Sequence, residues 1–413
     1  MAMSMAANHA AKKQLNDAIF GASAAAKAAA KEHGAAAITN ATIGSMMGDD
    51  GKIVCLPTME RVFRSLPMED IVSYAPITGV PAYLDAVIDL TFADQKPDGY
   101  MASIATAGGT GAIHDAVANY MEKGEKALTS DWYWGTYAVI CREAGGDLET
   151  YTLFDEKGRF HLSALTAKAA ELLAVQESLL LIINTPAHNP TGYSLSEEDW
   201  DGVIAFCKDY AAKGKRISLL VDIAYIDFAG EKNETRKFMK KFAHLPANIL
   251  VMFAFSMSKG YTLYGQRTGA LIALSSSEDV IEEFKRVTKY SSRATWSNIN
   301  HGAMELLVRI QQDKAVLAQF EKERDDCYQM IRQRGAIFMQ EAAQCGLQAV
   351  PYKAGFFLSV PSSDPQAVCN ALHKELVFAV PLKLGVRIAA CSVPTEKMKG
   401  LASKVKAALD SVK

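Results

Sequence analysis

Long apolar runs are missing from this sequence. None approaches the roughly 18 residues that cross a bilayer, and the longest, around Ser178–Asn184, suits a buried strand. An excess of either charge is missing as well: 44 basic residues stand against 46 acidic ones, for a net charge of −2. That balance argues against a dedicated nucleic-acid surface and a polybasic membrane face. Cysteine pairing is also missing. The seven cysteines are odd in number and no two share a CxxC spacing. This argues against a disulfide framework or a structural zinc site, and for a reduced, cytoplasmic interior with no metal. What is present is an ordinary globular mixture of 22% charged and 49% hydrophobic residues over 413 positions. A chain of that length suggests two domains around a sizeable core.

The first 37 residues are rich in alanine and carry Lys12, Lys13, Lys27 and Lys31. Asn16, Asp17, Lys27, Lys31 and Glu32 interrupt any apolar stretch, so a cleaved targeting peptide fits poorly. A disordered start followed by a surface helix over about Asp17–Glu32 is the simpler expectation.

The middle of the chain alternates apolar strands with helical patterns. Strands are expected at Ala102–Ala107, Lys126–Ser130, Asp147–Leu153, Ser178–Asn184, Ile217–Asp222, Ile249–Phe255 and Gly269–Leu274. Helices are expected over Ala112–Glu122, Gly135–Glu143, Leu162–Ala174 and Ser196–Lys213, the last capped by Ser196 with acidic residues in its first turn. Near-continuous apolar strands with helices between them read as a sheet covered on both faces. The fold class is therefore α/β, with a mostly parallel seven-stranded sheet in a large domain. From about Asn298 some forty residues are helical. A smaller α+β region follows, with strands at Ala349–Val350, Gly355–Val360, Val377–Val380 and Val386–Ala390 and a closing helix over Thr395–Val412. The expected organisation is a flexible arm at 1–14, a discontinuous small domain at 15–54 and 312–413, and a large domain at 55–311.

Ligands of open α/β sheets bind at the carboxyl ends of the strands. Those ends carry Gly108-Gly109-Thr110-Gly111, then Asp131-Trp132-Tyr133-Trp134, then Asn184 through Gly192, which includes His188-Asn189-Pro190-Thr191-Gly192. Asp222-Ile223-Ala224-Tyr225 and Ser256-Met257-Ser258-Lys259 follow, with Arg267 eight residues on. Each piece has a plainer reading. The glycines suit a tight turn, and they lack the G-x-G-x-x-G pattern of a dinucleotide site. Asn189-Pro190-Thr191-Gly192 forms turns by composition, Asp222 could cap the turn after it, Trp134 could be core, and lone lysines are usually solvated. Order and spacing taken together shift the balance toward one site.

These residues resemble a known family. From Asn40 to Arg387 the chain is similar to fold-type I pyridoxal-phosphate enzymes, specifically class I aminotransferases of the aspartate and aromatic group. The resemblance implies that Lys259 forms a Schiff base with pyridoxal 5'-phosphate, that Asp222 pairs with the pyridine nitrogen, and that Tyr225 and Asn189 bond the ring's phenolic oxygen. It implies that Trp134 stacks on the ring, and that Gly109, Thr110, Ser256, Ser258 and Arg267 hold the phosphate. Arg387 would hold the substrate α-carboxylate and Gly44 would close over the substrate. Tyr74 would reach the phosphate of a neighbouring subunit, and Arg293 would cross a homodimer interface to a distal carboxylate. Several positions depart from the family pattern. Gly108 stands where serine is common, Tyr137 where a histidine often backs the aspartate, and Met46 where an aromatic residue is usual. Thr262 and Thr268 are atypical within the lysine motif.

The chemistry suits these residue types. An aspartate opposite the pyridine nitrogen favours its charged form, which makes the ring an electron sink. A displaced lysine can act as general base and then acid. A helix N-terminus with small residues admits an anion, and arginine binds carboxylates through two parallel bonds. The implied activity is a ping-pong transfer of an amino group between an L-amino acid, aspartate or aromatic in type, and a 2-oxo acid such as 2-oxoglutarate. A β-lyase or other Cα chemistry on the same scaffold is the alternative, and a non-catalytic relative is a third reading.

Overall fold

The computed structural model describes residues 5–11, 13–15 and 17–412; residues 1–4, 12, 16 and 413, including part of the expected arm, lie outside the described residues. Seven strands form the large sheet: β1 (Tyr100–Thr106), β2 (Lys126–Ser130), β3 (Asp147–Tyr151), β4 (Ser178–Asn184), β5 (Arg216–Asp222), β6 (Ile249–Ser256) and β7 (Gly269–Ser275). Their order across the sheet is β1-β7-β6-β5-β4-β2-β3. All pairings are parallel except those of β7, which runs antiparallel to both β1 and β6.

The period-two geometry of a strand explains why these runs are apolar throughout. In β4, Leu179, Leu181 and Ile183 join one core cluster and Leu180 and Ile182 the other. In β6 the same split puts Val251, Phe253 and Phe255 on one face and Leu250, Met252 and Ala254 on the other. Helices Pro81–Phe92, Leu162–Leu173 and Glu197–Ala212 supply Val87, Leu165 and Val203 to the first face. The second face is covered by α2 (Gly108–Tyr120), α3 (Thr136–Glu143) and α4 (Glu278–Thr295), which supply Ile113, Tyr137 and Phe284. An earlier helix, α1 (Ala18–His33), begins at Asp17, whose side chain accepts the backbone N–H groups of Ile19 and Phe20.

A smaller sheet holds β8 (Phe357–Pro361), β9 (Val380–Leu382) and β10 (Gly385–Ala389) in the antiparallel order β9-β10-β8. Its core includes Phe338, Leu358, Val368, Ile388 and Val405. The 32-residue helix α5 (Lys314–Cys345) connects the two cores, with Phe320 in the larger and Phe338 in the smaller.

Four local expectations differ from the structure. Ala349–Val350 is not a strand: Val350 N–H donates to the Ser359 carbonyl at 3.0 Å, but Pro351 has no N–H to continue the ladder. The closing helix is broken into Thr395–Met398 and Leu401–Ser411, because Gly400 takes a left-handed turn at φ +78°. Val377–Val380 divides between two sheets, Val377–Phe378 pairing in parallel with Thr39–Asn40. Finally, α2 begins at Gly108 rather than Ala112, so the glycine cluster is the helix's first turn.

Candidate active site

The carboxyl ends of β1, β4, β5 and β6 meet β10 around a cavity of about 330 Å³. Gly44, Gly109, Thr110, Trp134, Asn189, Asp222, Tyr225, Ser256, Ser258, Lys259, Arg267 and Arg387 all line it. Tyr74 and Arg293 do not. Tyr74 is 91% exposed, and Arg293 donates to Ser297 Oγ at 2.5 Å on the surface.

Each element aims its residue for a local reason. The α2 N-terminus has Ala107 at its cap and therefore no capping side chain. Its first N–H groups are left for an outside acceptor. Gly108 sits at φ +70°, and a Cβ there would come within 2.8 Å of Arg267 Nη2. The missing side chain thus makes room for the guanidinium, which explains the absence of serine at that position. Arg267 itself holds φ +51°, a conformation uncommon outside glycine and typical of functional sites. Its Nη1 donates to Ser258 Oγ at 3.2 Å and to the Tyr264 carbonyl at 3.1 Å. Ser256 Oγ accepts the Ser258 N–H at 3.2 Å and so starts the short helix that carries Lys259.

Lys259 Nζ donates to the Gly44 carbonyl at 2.6 Å. Burial pushes its amine down to about 8, with Arg387 and Arg267 adding repulsion. A Cβ at Gly44 would sit 2.8 Å from Phe357 Cζ, so any side chain there would have to push that ring aside. Asp222 is buried, and burial pushes its carboxyl above the usual range. Two donors oppose that rise: Tyr137 Oη reaches Oδ2 at 2.6 Å and the Ala224 N–H reaches Oδ1 at 3.1 Å.

Polar groups between these anchors form one network. Asn184 Nδ2 donates to the Asp222 carbonyl at 2.8 Å, and its Oδ1 accepts the Asn189 N–H at 2.6 Å. Asn189 Nδ2 donates to Tyr225 Oη at 3.4 Å, and Arg387 Nη1 donates to Asn189 Oδ1 at 3.3 Å. Arg387 is buried against the Phe357 ring at 4.3 Å, and its Nη2 donates to the Thr42 carbonyl at 2.8 Å. Burial pushes its guanidinium down to about 10. Its Nε has no hydrogen-bond partner among the described residues. A buried donor without an acceptor is costly.

Sequence reasoning missed several lining residues: Ile19 and Phe20 at the start of α1, Tyr264, and Phe357. Asn184 had a signal, since it ends β4 beside Asp222 in register. Phe20 had none, because it begins an alanine-rich helix from a distant part of the chain. No group of three or more His, Cys, Asp or Glu side chains placed to hold a metal occurs among the described residues. Likewise, no helix among them is long and apolar enough to cross a membrane.

Comparison with known proteins bears on this geometry. The family model described as "Aminotransferase class I and II" matches residues 37–405. The solved structure of an aminotransferase from Anaerococcus prevotii superposes with a TM-score of 0.96 at 37% identity, covering 99% of this chain and 100% of that one. An aromatic-amino-acid aminotransferase from Burkholderia pseudomallei, covalently bound to pyridoxal phosphate, shares the fold with a TM-score of 0.81 at 23% identity, over 98% of this chain and 100% of that one. A mitochondrial aspartate aminotransferase of Schizosaccharomyces pombe is 26% identical over 63% of this chain, and the match spans 59% of that protein's length.

Proposed function

We propose, for a chain that belongs to the class I and II aminotransferase family, that it moves an amino group between an L-amino acid and a 2-oxo acid with pyridoxal 5'-phosphate as cofactor. One observation carries the reading. A half-buried amine, Lys259, and a buried carboxylate, Asp222, line one cavity together with an uncapped helix N-terminus and a buried arginine. The residues present fit the cofactor. Gly109, Thr110, Ser256, Ser258 and Arg267 make a cradle for a phosphate, from which a Cβ on Gly108 would displace the guanidinium. Lys259 would be the covalent anchor for the aldehyde, and Asp222 would serve the ring nitrogen. The covalent pyridoxal phosphate in the Burkholderia pseudomallei enzyme supports that choice of cofactor.

Bound there, pyridoxal phosphate supplies an electrophilic aldehyde and a ring that accepts the electron pair released at the substrate Cα. The chain's own residues do the rest. With its amine near 8, Lys259 is free base in roughly a tenth of molecules at neutral pH. As a free amine it would take the proton from the substrate Cα as general base and return it as acid. Arg387, buried and lining the cavity, would hold the α-carboxylate through its guanidinium and so fix the plane in which the substrate lies. Tyr225 and Asn189 present donors to the ring oxygen. Asp222 would hold the ring nitrogen in its cationic form.

We further propose a homodimer with shared sites. Met68, Val72 and Tyr74 form an exposed apolar stretch, the kind of surface that marks an interface. Tyr74 would serve the partner's phosphate from it, and Arg293 the partner's substrate. A panel of aspartate, tyrosine, phenylalanine and alanine with 2-oxoglutarate tests the reaction. Amino transfer that disappears, together with the visible absorbance, in Lys259→Ala supports the reading. Pyruvate and ammonia released without an oxo-acid acceptor would replace it with a β-lyase. Loss of dicarboxylate but not aromatic substrates in Arg293→Ala would assign that arginine to the side-chain pocket.

A further inference from the structure

The residue after Lys259 has no side chain, and a carboxylate fills the space that one would take. Gly260 ends the short helix Met257–Gly260 that carries the lysine. Its backbone is not in the left-handed region, so its conformation does not call for glycine. Space does: a Cβ there would run into Asp227 Oδ2, well inside van der Waals contact. Asp227 stands two residues after Tyr225, on the single turn Ile226–Phe228 that follows β5.

A carboxylate tip can usually swing aside, but this one is held at both oxygens. Arg236 Nη2 reaches Oδ1 at 3.1 Å, and Arg324 Nη1 reaches Oδ2 at 3.3 Å. Both arginines are buried. Arg236 is fixed in turn, with Nε donating to the Thr91 carbonyl and Nη1 to the Lys232 carbonyl, each at 3.0 Å. Arg324 lies on α5, one turn beyond Phe320, whose ring stacks on Tyr261 at 4.7 Å. The chain just past Lys259 is therefore gripped at two successive residues, Gly260 by the carboxylate and Tyr261 by the ring. The charges that bear on the Lys259 amine itself are those of Arg387 and Arg267, with the Cys391 thiol opposing them. Tyr225, Tyr264 and Phe356 present ring faces to it.

We propose that Asp227 is a positioning residue: pinned between Arg236 and Arg324, its carboxylate stands against Gly260 and sets the Lys259 turn relative to the Asp222–Tyr225 segment. The inference rests on the reading of Lys259 as the anchor for pyridoxal phosphate. Misplacing a reacting group by about 1 Å can cost about a hundredfold in rate, so a rigid stop behind the amine has a kinetic consequence.

The test pushes on the stop from each side. In cofactor-free protein labelled with carbon-13 at the lysine ε carbons, the Lys259 signal is assigned by its loss in Lys259→Ala. In the parent it should titrate at about 8. Gly260→Ala adds a methyl group and changes no charge. A fixed carboxylate forces the turn to move, and the signal should then titrate at least about one pH unit higher, toward the ordinary lysine value of about 10.4. Asp227→Asn keeps the shape but loosens the hold of both arginines. It should move the signal the same way, whereas loss of a negative charge alone would push an amine down. In loaded protein kcat should fall about tenfold to a hundredfold in both variants, with KM within about threefold. On an Asp227→Ser background, which leaves room for the methyl, Gly260→Ala should cost kcat no more than about twofold. An unmoved Lys259 titration in a folded Gly260→Ala overturns the proposal, because the carboxylate would have yielded rather than the turn. A downward shift in Asp227→Asn overturns it too, as does an equal cost of Gly260→Ala on both backgrounds. Asp227→Asn decides the matter if Gly260→Ala does not fold. A parent that binds no pyridoxal phosphate would defeat the functional reading alone, because the lysine titration would still report on the stop behind it.

Discussion

Two aspartates lie out of contact with solvent in the large core, Asp222 at the end of β5 and Asp115 on α2, and their surroundings treat them differently. Burial pushes both carboxyls above the ordinary range. At Asp222 a hydroxyl and a main-chain N–H answer that push. At Asp115 neither oxygen has a hydrogen-bond partner among the described residues. His114 Nδ1 lies 3.7 Å from Oδ1, and together with Ser292 it only partly opposes the rise. Ser292 Oγ, Trp296 Nε1, Tyr120 Oη and His114 Nδ1, all in this part of the core, are likewise unpartnered among the described residues. A third carboxylate, Asp227, completes the series. Burial pushes it up, but Arg324 at 3.3 Å and Arg236 at 3.1 Å overcome that push and hold it below the ordinary range. Burial is thus common to the three, and the donors decide which carboxyl carries a charge. The site aspartate has two donors that oppose the push of burial and no arginine beside it.

The largest effect expected from breaking this comparison is at Asp222. Asp222→Asn keeps the shape and removes the charge proposed to serve the ring nitrogen. Turnover should fall by about a thousandfold, the scale of losing a preorganised electrostatic partner. Steady-state kinetics with the best substrate pair would measure it, and a loss under tenfold would mean that the charge is not what the reaction uses. Next comes Asp227. Arg236→Leu leaves a buried carboxylate with one cation instead of two, and should cost about 3 kcal/mol of stability at neutral pH. The sign is fixed by the lowered carboxyl: the pair's contribution is fully present above the usual 3.8 and fades as pH falls below it. Urea unfolding of parent and variant should therefore differ at neutral pH and converge in acid.

A half-buried base obeys the same rule with the sign reversed. The amine of Lys259 is pushed down to about 8, and only its free form attacks an aldehyde. Capture of pyridoxal phosphate by cofactor-free protein should accelerate about tenfold between roughly pH 7 and pH 9, with a midpoint near the shifted value. Stopped-flow absorbance would follow it. A midpoint near the ordinary lysine value would show that the amine is solvated rather than enclosed.

Much of this arrangement was legible in the sequence. Ser178–Asn184 could be read as a strand because seven apolar or small residues run between turn signals, and the structure gives the same bounds. The polar segments that gather at the cavity follow strand ends, where the topology of an open sheet brings distant residues together. The partner of Tyr137 was legible only through the family resemblance, which sets that position behind the aspartate; the residues alone could not give it, because Asp222 lies 85 residues away and the contact depends on how α3 packs over β5. The break at Gly400 was missed because a single glycine inside a helical pattern is often tolerated. Asp115 gave no warning at all. It stands one turn from Ala112 and beside Ala116 in an apolar helical pattern, and nothing local says that the helix beside it, α4, would leave the carboxyl without a donor.

That last aspartate carries the smallest prediction, and it goes against the usual direction of mutation. Most core substitutions destabilise. Asp115→Leu keeps the same branched heavy-atom skeleton, with methyl groups larger than the oxygens they replace, and removes two oxygens that have no partner among the described residues. Because burial raises this carboxyl, the folded chain holds its proton more tightly than the unfolded one does. Its stability is then fully present below the ordinary value of 3.8 and is lost as pH rises from there through the raised one. The leucine variant carries no such loss. It should be more stable than the parent by about 1 kcal/mol at mildly alkaline pH, with the difference shrinking toward zero in acid. Denaturant melts at several pH values would measure the gap. A variant less stable than the parent at every pH would show that Asp115 is satisfied in solution, and the contrast with Asp222 would then reduce to two carboxylates served by different donors.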